Sequence, residues 1–143
     1  MQAPVVEVNS TIAAPASIVW KAMQDGAMFP GTEIETDWKI GHPITFKGTW
    51  EGKDFTDRGE IQTLHEGREL SFSHWSDKDG SGKRPPSYHV VRYELQPDGN
   101  RTRVTLSQFN KGEETEIDAK TKAAFTKNWT AMLEGLKKTA EAN

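Results

Sequence analysis

Residues 117–138 read IDAKTKAAFTKNWTAMLEGLKK, and this stretch decides the fold. Ile117, Thr121, Ala124, Phe125, Trp129, Met132 and Leu136 recur at three- and four-residue intervals, which places them along one stripe of a helix. Counted from Glu113, that helix runs for about 25 residues, roughly 38 Å at 1.5 Å per residue, enough to cross a whole sheet. Glu113, Glu114 and Glu116 stand ahead of the stripe and Lys137 and Lys138 near its end, so the charges agree with the helix dipole.

Everything upstream of this helix reads mostly as strands. Val6, Val8 and Ile12 alternate with Glu7, Asn9 and Thr11, the pattern of a half-buried strand. Ala14-Pro15-Ala16 then opens a short helix carrying Ile18, Val19, Ala22 and Met23, expected to stop near Gly26. Residues 33–40, EIETDWKI, alternate cleanly and predict a strand with Ile34, Thr36, Trp38 and Ile40 on one face. The runs at 43–51 and 54–64 flank Gly52-Lys53, a two-residue type II′ hairpin signal. That turn pairs Phe46 with Gly59, Ile44 with Ile61 and Trp50 with Phe55. Residues 69–75, 88–95 and 102–109 give three further strands, the last two joined by a turn at 96–100. The polar, Gly- and Pro-rich segment 76–87 is a loop. The fold class is therefore α+β, with an antiparallel sheet of about seven strands, a short helix after the first and a long C-terminal helix.

Composition narrows the function classes. The 143 residues suit one domain, 1–143. The 18 basic and 21 acidic residues give a net charge of -3 without any basic block, which argues against nucleic acid as a partner. With Cys 0 there are no disulfides or thiolate metal ligands, which fits a reducing, cytoplasmic setting. No apolar run approaches the ~18 residues of a membrane span, and the N-terminus lacks the pattern of a cleaved leader, so no membrane insertion is expected. The 5 Trp and 6 Phe must supply much of the core, and rings in that number pack more readily around a lined cavity than into a solid interior.

Three segments resemble a known family: Ala-Pro-x-x-x-Val-Trp from Ala14 to Trp20, Gly59-Glu-Ile-Gln followed by Glu69-Leu-Ser-Phe-Ser, and Asn128-Trp129 through Leu136. Their order and spacing are similar to those of the START-like (SRPBCC, polyketide-cyclase) superfamily, whose helix-grip fold includes the major birch-pollen allergen. Within it, the chain is most similar to small bacterial proteins resembling the activator of the 90-kDa heat-shock protein ATPase. Two positions depart from that pattern: Asn128 stands where a glycine usually precedes the tryptophan, and Gly41-His42 where a Gly-Gly pair is usual. The resemblance implies a cavity between the sheet and the last helix.

By strand parity and helix phase, the candidate lining comprises Trp38, Phe46, Trp50, Phe72 and Tyr93 from strands, with Phe125, Asn128, Trp129 and Met132 from the helix. Asp57, His74, His89 and Gln108 fall on the same inward face, where a polar group must meet a partner or a ligand. His74 and His89 lie on successive strands and become neighbours if that hairpin closes symmetrically. Two histidines without a third ligand are an incomplete metal set, so no metal, cofactor or catalytic residue is assigned. No Ser-His-Asp order, phosphate loop or HExxH helix is present. The expected function is binding or carriage of a small apolar or aromatic molecule. The resemblance implies a rival, a co-chaperone whose partner is the heat-shock ATPase; in the eukaryotic protein that role involves a further N-terminal domain. A third reading is cyclase or hydrolase chemistry using His74, His89 or Asp57.

Overall fold

In the computed structural model the described residues are 3–77, 80–112 and 116–142, without the side chain of Trp50. Strands β1 (Val6–Ile12), β2 (Glu33–Thr36), β3 (Pro43–Trp50), β4 (Lys53–His65), β5 (Glu69–Ser76), β6 (Tyr88–Asp98) and β7 (Arg101–Lys111) form one antiparallel sheet in the order β1-β7-β6-β5-β4-β3-β2. Between β1 and β2 run the short helix α1 (Ala16–Ala22) and a π-helical turn, Met23–Ala27; the chain ends in α2 (Ala119–Glu141). Helix α1 lies where the 3.6-residue pattern put it, and α2 covers most of the stretch expected for it.

The core is the inward row of each strand. Phe72 on β5, Val91 and Tyr93 on β6, and Val104 and Leu106 on β7 are all buried. They face Val19, Trp20 and Met23 of the first helical segment, and Trp129, Leu133, Leu136 and Ala140 of α2. Burying side chains of this size contributes about 1.5–3 kcal/mol each, which drives the layering.

Four expectations change in detail. The hairpin between β3 and β4 turns on Glu51-Gly52, both with positive φ (51° and 78°), as a two-residue type I′ turn demands. Phe46 therefore faces Asp57, Ile44 faces Gly59 and Trp50 faces Lys53, two residues away from the expected partners. A two-residue slip leaves every side chain on its original face, so the inward set is unchanged. The strand expected over 33–40 stops at Thr36. Trp38 adopts φ 57°, its N–H drawn to the Thr36 hydroxyl, and Asp37 bonds His42 at 2.7 Å, which curls the segment away from the sheet edge. Ile40 is left 60% exposed rather than inward. The turn between β6 and β7 is Gly99-Asn100, tighter than expected, and Pro97 pairs with Thr102 inside the ladder. Finally, α2 starts at Ala119. Its cap is Asp118, whose carboxylate accepts the Thr121 N–H at 2.7 Å and is held below the usual carboxylate range by that bond. Glu113 and Glu114 lie outside the described residues; Glu116 precedes the helix, as does Ile117, which still packs on the core.

Helix α2 does not cross the whole sheet in contact with it. Its closest backbone neighbours are β1, α1 and the π-helical turn. Toward the middle strands its N-terminal half stands off.

Candidate functional site

That stand-off encloses a cleft of about 450 Å³. Phe46 of β3, Phe55 and Asp57 of β4, His74 of β5 and His89 of β6 form one side. Phe125, Asn128, Trp129 and Met132 of α2 form the other, and the segment 29–32 closes one end. The rings brace each other edge to face: Phe29 meets Phe46 at 5.0 Å and Trp129 at 6.0 Å, and His89 meets Phe125 at 5.2 Å. Such contacts favour fixed ring positions over collapse into the space.

One polar cluster interrupts this apolar wall. Asp57 Oδ2 lies 3.0 Å from His74 Nε2, and the Ser76 hydroxyl donates to Asp57 Oδ1 at 3.2 Å. The Asp57 and His74 side chains are only 20% and 17% exposed. His74 is stacked on Phe29, 6.0 Å between centroids and 7° between planes. His89 is the ladder partner of His74. Burial, and then the neighbouring His74, hold the His89 pKa below its ordinary 6.5, so at pH 7 its ring is neutral, with one nitrogen donating and one accepting. A carboxylate and two imidazoles in an apolar cleft can orient a hydroxyl or carbonyl group. Among the described residues, no group of three or more His, Cys, Asp and Glu is placed to hold a metal ion.

Of the residues singled out by sequence, Phe46, Asp57, His74, His89, Phe125, Asn128, Trp129 and Met132 come together around the cleft. Asn128 does so from an exposed position at the mouth, not from the face turned to the sheet. Phe72 lies beneath Phe29 and Phe46 as core. Tyr93, further along β6, is wholly buried; its hydroxyl has no hydrogen-bond partner among the described residues, and burial pushes its pKa up. Gln108 sits behind the wall: its carbonyl accepts the Trp129 indole N–H at 2.6 Å and its amide donates to Asn110 at 2.9 Å. Trp38 packs on the core away from the cleft, and the Trp50 side chain is outside the described residues. Phe55 was missed, whereas the stretch 27–32, read from sequence as a turn placing Met28 and Phe29 near the mouth of the sheet, does bring Phe29 to the cleft. A sequence signal existed for Phe55, because Gly48 faces it across the hairpin and leaves room for its ring; a Cβ at Gly48 would come within 2.7 Å of it.

A sheet with one long helix laid over its inner face, and a cleft between them, is the helix-grip architecture of the START-like superfamily. The model of the family described as "Activator of Hsp90 ATPase homolog 1-like protein" matches residues 13–141, and the chain belongs to that family. It is similar to the solution structure of ChR145 from Cytophaga hutchinsonii, at 36% identity and TM-score 0.73, over 96% of this chain and 93% of that one. It shares its fold with Ara h 8.0201 at 13% identity and TM-score 0.72, over 96% and 97% of the two chains. DynU16, a putative protein in the dynemicin biosynthetic locus, matches at 16% identity and TM-score 0.71, over 95% of this chain and 46% of its own. No curated protein matches the chain at comparable significance.

Proposed function

We propose that this chain, acting as one domain over residues 1–143, binds or carries a small apolar or aromatic molecule in the cleft between the sheet and α2. The observation that carries this reading is the mixed wall: rings of Phe29, Phe46, Phe55, Phe125 and Trp129 for affinity, and Asp57, His74 and His89 converging to fix orientation. A drug-sized ligand occupies a few hundred Å³, which the cleft matches in scale. No helix among the described residues is long and apolar enough to cross a membrane, and the absence of cysteine fits a cytoplasmic site of action.

Native mass spectrometry of freshly purified protein tests the proposal by detecting a co-purified molecule. Titration with apolar aromatic probes, followed by tryptophan emission, then gives a saturable change with a stoichiometry near one. Neither a retained mass nor a saturable change across a broad panel would reject the reading.

The family description favours a second reading, stimulation of the 90-kDa heat-shock protein ATPase through a protein–protein contact. It predicts a rise in that ATPase rate on adding this chain, unaffected by probes that fill the cleft. Acid–base chemistry at His74, His89 or Asp57 is the third, and it predicts turnover of a bound ligand.

A further inference from the structure

The β5–β6 ladder stops at the pair His74↔His89, while both strands continue with their other neighbours. β5 goes on along β4 to Ser76, opposite Asp57, and Asp77 extends this by donating its N–H to the Thr56 carbonyl at 3.0 Å. Arg58 holds the Asp77 carboxylate at 2.6 Å. On the other side β6 pairs with β7 as far as Tyr88↔Lys111, and Pro86 lies against Gly112 just beyond. The sheet therefore forks at the two histidines, each branch tied to a different neighbour.

The fork holds a second cleft of about 460 Å³. Trp75 and Ser76 line one bank, Ser87 and Tyr88 the other, and Pro85 of the connecting loop adds to the lining. Trp75 and Tyr88 meet edge to face at 6.5 Å. Asp57, His74 and His89 line this cleft as well as the first. The polar cluster is thus a shared rim between two apolar spaces.

We infer that the ligand spans both: two apolar groups, one of them aromatic and seated against the Trp75–Tyr88 ring pair, joined through a single neutral hydrogen-bonding centre such as a carbonyl or hydroxyl held at the cluster. This deepens the proposed function and rests on it. A molecule with one apolar group would fill the first cleft and leave the fork to water. A purely apolar molecule long enough for both would strip water from Asp57 and the histidines without replacing its hydrogen bonds, which is unfavourable. A centre bearing negative charge would face the Asp57 carboxylate, and a cationic one would have to displace His74 from it, 3.0 Å away. The chemistry of the rim thus selects a neutral polar centre, and the two spaces select its substituents.

The test compares acetophenone and benzophenone, which share a carbonyl and differ by one ring, by calorimetry on the full chain. Benzophenone is expected to bind about tenfold more tightly or better, the gain of burying a second ring. Tyr88→Ser should remove most of that gain and leave acetophenone unchanged, which also reports that the variant is folded. Pro85→Ser, outside the ladders, is measured beside it and should reduce the gain in the same direction. Equal affinities for the two probes, or equal losses of both in folded Tyr88→Ser and Pro85→Ser proteins, would overturn the two-space ligand while leaving the first cleft standing. If neither probe nor any of the wider panel binds the unaltered chain, the proposed function itself fails.

Discussion

Trp129 donates its indole N–H to the side-chain carbonyl of Gln108 at 2.6 Å, a buried bond that ties helix α2 to strand β7 at the wall of the cleft. Gln108 is 1% exposed and passes the connection on to Asn110, the ladder partner of His89. One amide thus joins the closing helix to the inner wall beside His89.

Gln108→Leu keeps the volume roughly constant and leaves the Trp129 N–H buried without its acceptor, at a cost of about 1–3 kcal/mol. Urea unfolding should show a lower midpoint with an unchanged slope, and tryptophan emission should shift. An unchanged midpoint would mean that Trp129 finds another acceptor and that the bond does not hold the wall.

The His89 pKa is depressed in the folded chain relative to its ordinary 6.5. Above about pH 6.5 both states hold a neutral ring and its contribution to stability is fully present. As pH falls below that value the unfolded chain takes up a proton that the folded chain refuses, so stability declines until the folded pKa is passed. His89→Gln, with Asp57 and His74 retained, should therefore flatten the fall in unfolding free energy between about pH 7 and pH 5. Parallel curves for the two proteins would remove His89 as the source.

Gly135 on α2 lies against Pro30, whose segment closes one end of the cleft; a Cβ there would come within 2.6 Å of Pro30 Cγ. Gly135→Ala gains about 1 kcal/mol of helix propensity but forces a rigid ring to move, an overpacking cost of about 1–3 kcal/mol. The expected net result is a lower melting temperature together with altered probe affinity, read by calorimetry and thermal unfolding. A stabilised variant with unchanged affinities would show that the 29–32 segment yields freely and does not shape the site.

Removing α2 by ending the chain at Asp118 exposes the partners of Trp129, Leu133, Leu136 and Ala140, all buried. At about 1.5–3 kcal/mol for each large side chain, the loss is comparable to a whole domain's stability of about 5–15 kcal/mol. The truncated chain should be unfolded or aggregated by circular dichroism and gel filtration. A monomer with a cooperative melt would make α2 an accessory.

The sequence by itself determined which elements form and which face of each turns inward, because both are local. Apolar period two marked β1 and β3–β7, and the three-and-four spacing from Phe125 to Leu136 marked α2. Even the wrong hairpin partners for Phe46 and Ile44 kept the right face, since a slip of two preserves parity. Tertiary structure decided where along the inward face core gives way to cleft. Phe72 and His74 have the same parity on one strand, yet one is sealed beneath Phe29 and the other opens to the cleft. The difference is set by where α2 rests, close along β1 and away from the middle strands, and that depends on contacts between residues far apart in the chain. The fork at His74 and His89 has the same origin, for it arises where β5 and β6 follow different neighbours, and no periodicity within either strand records that choice.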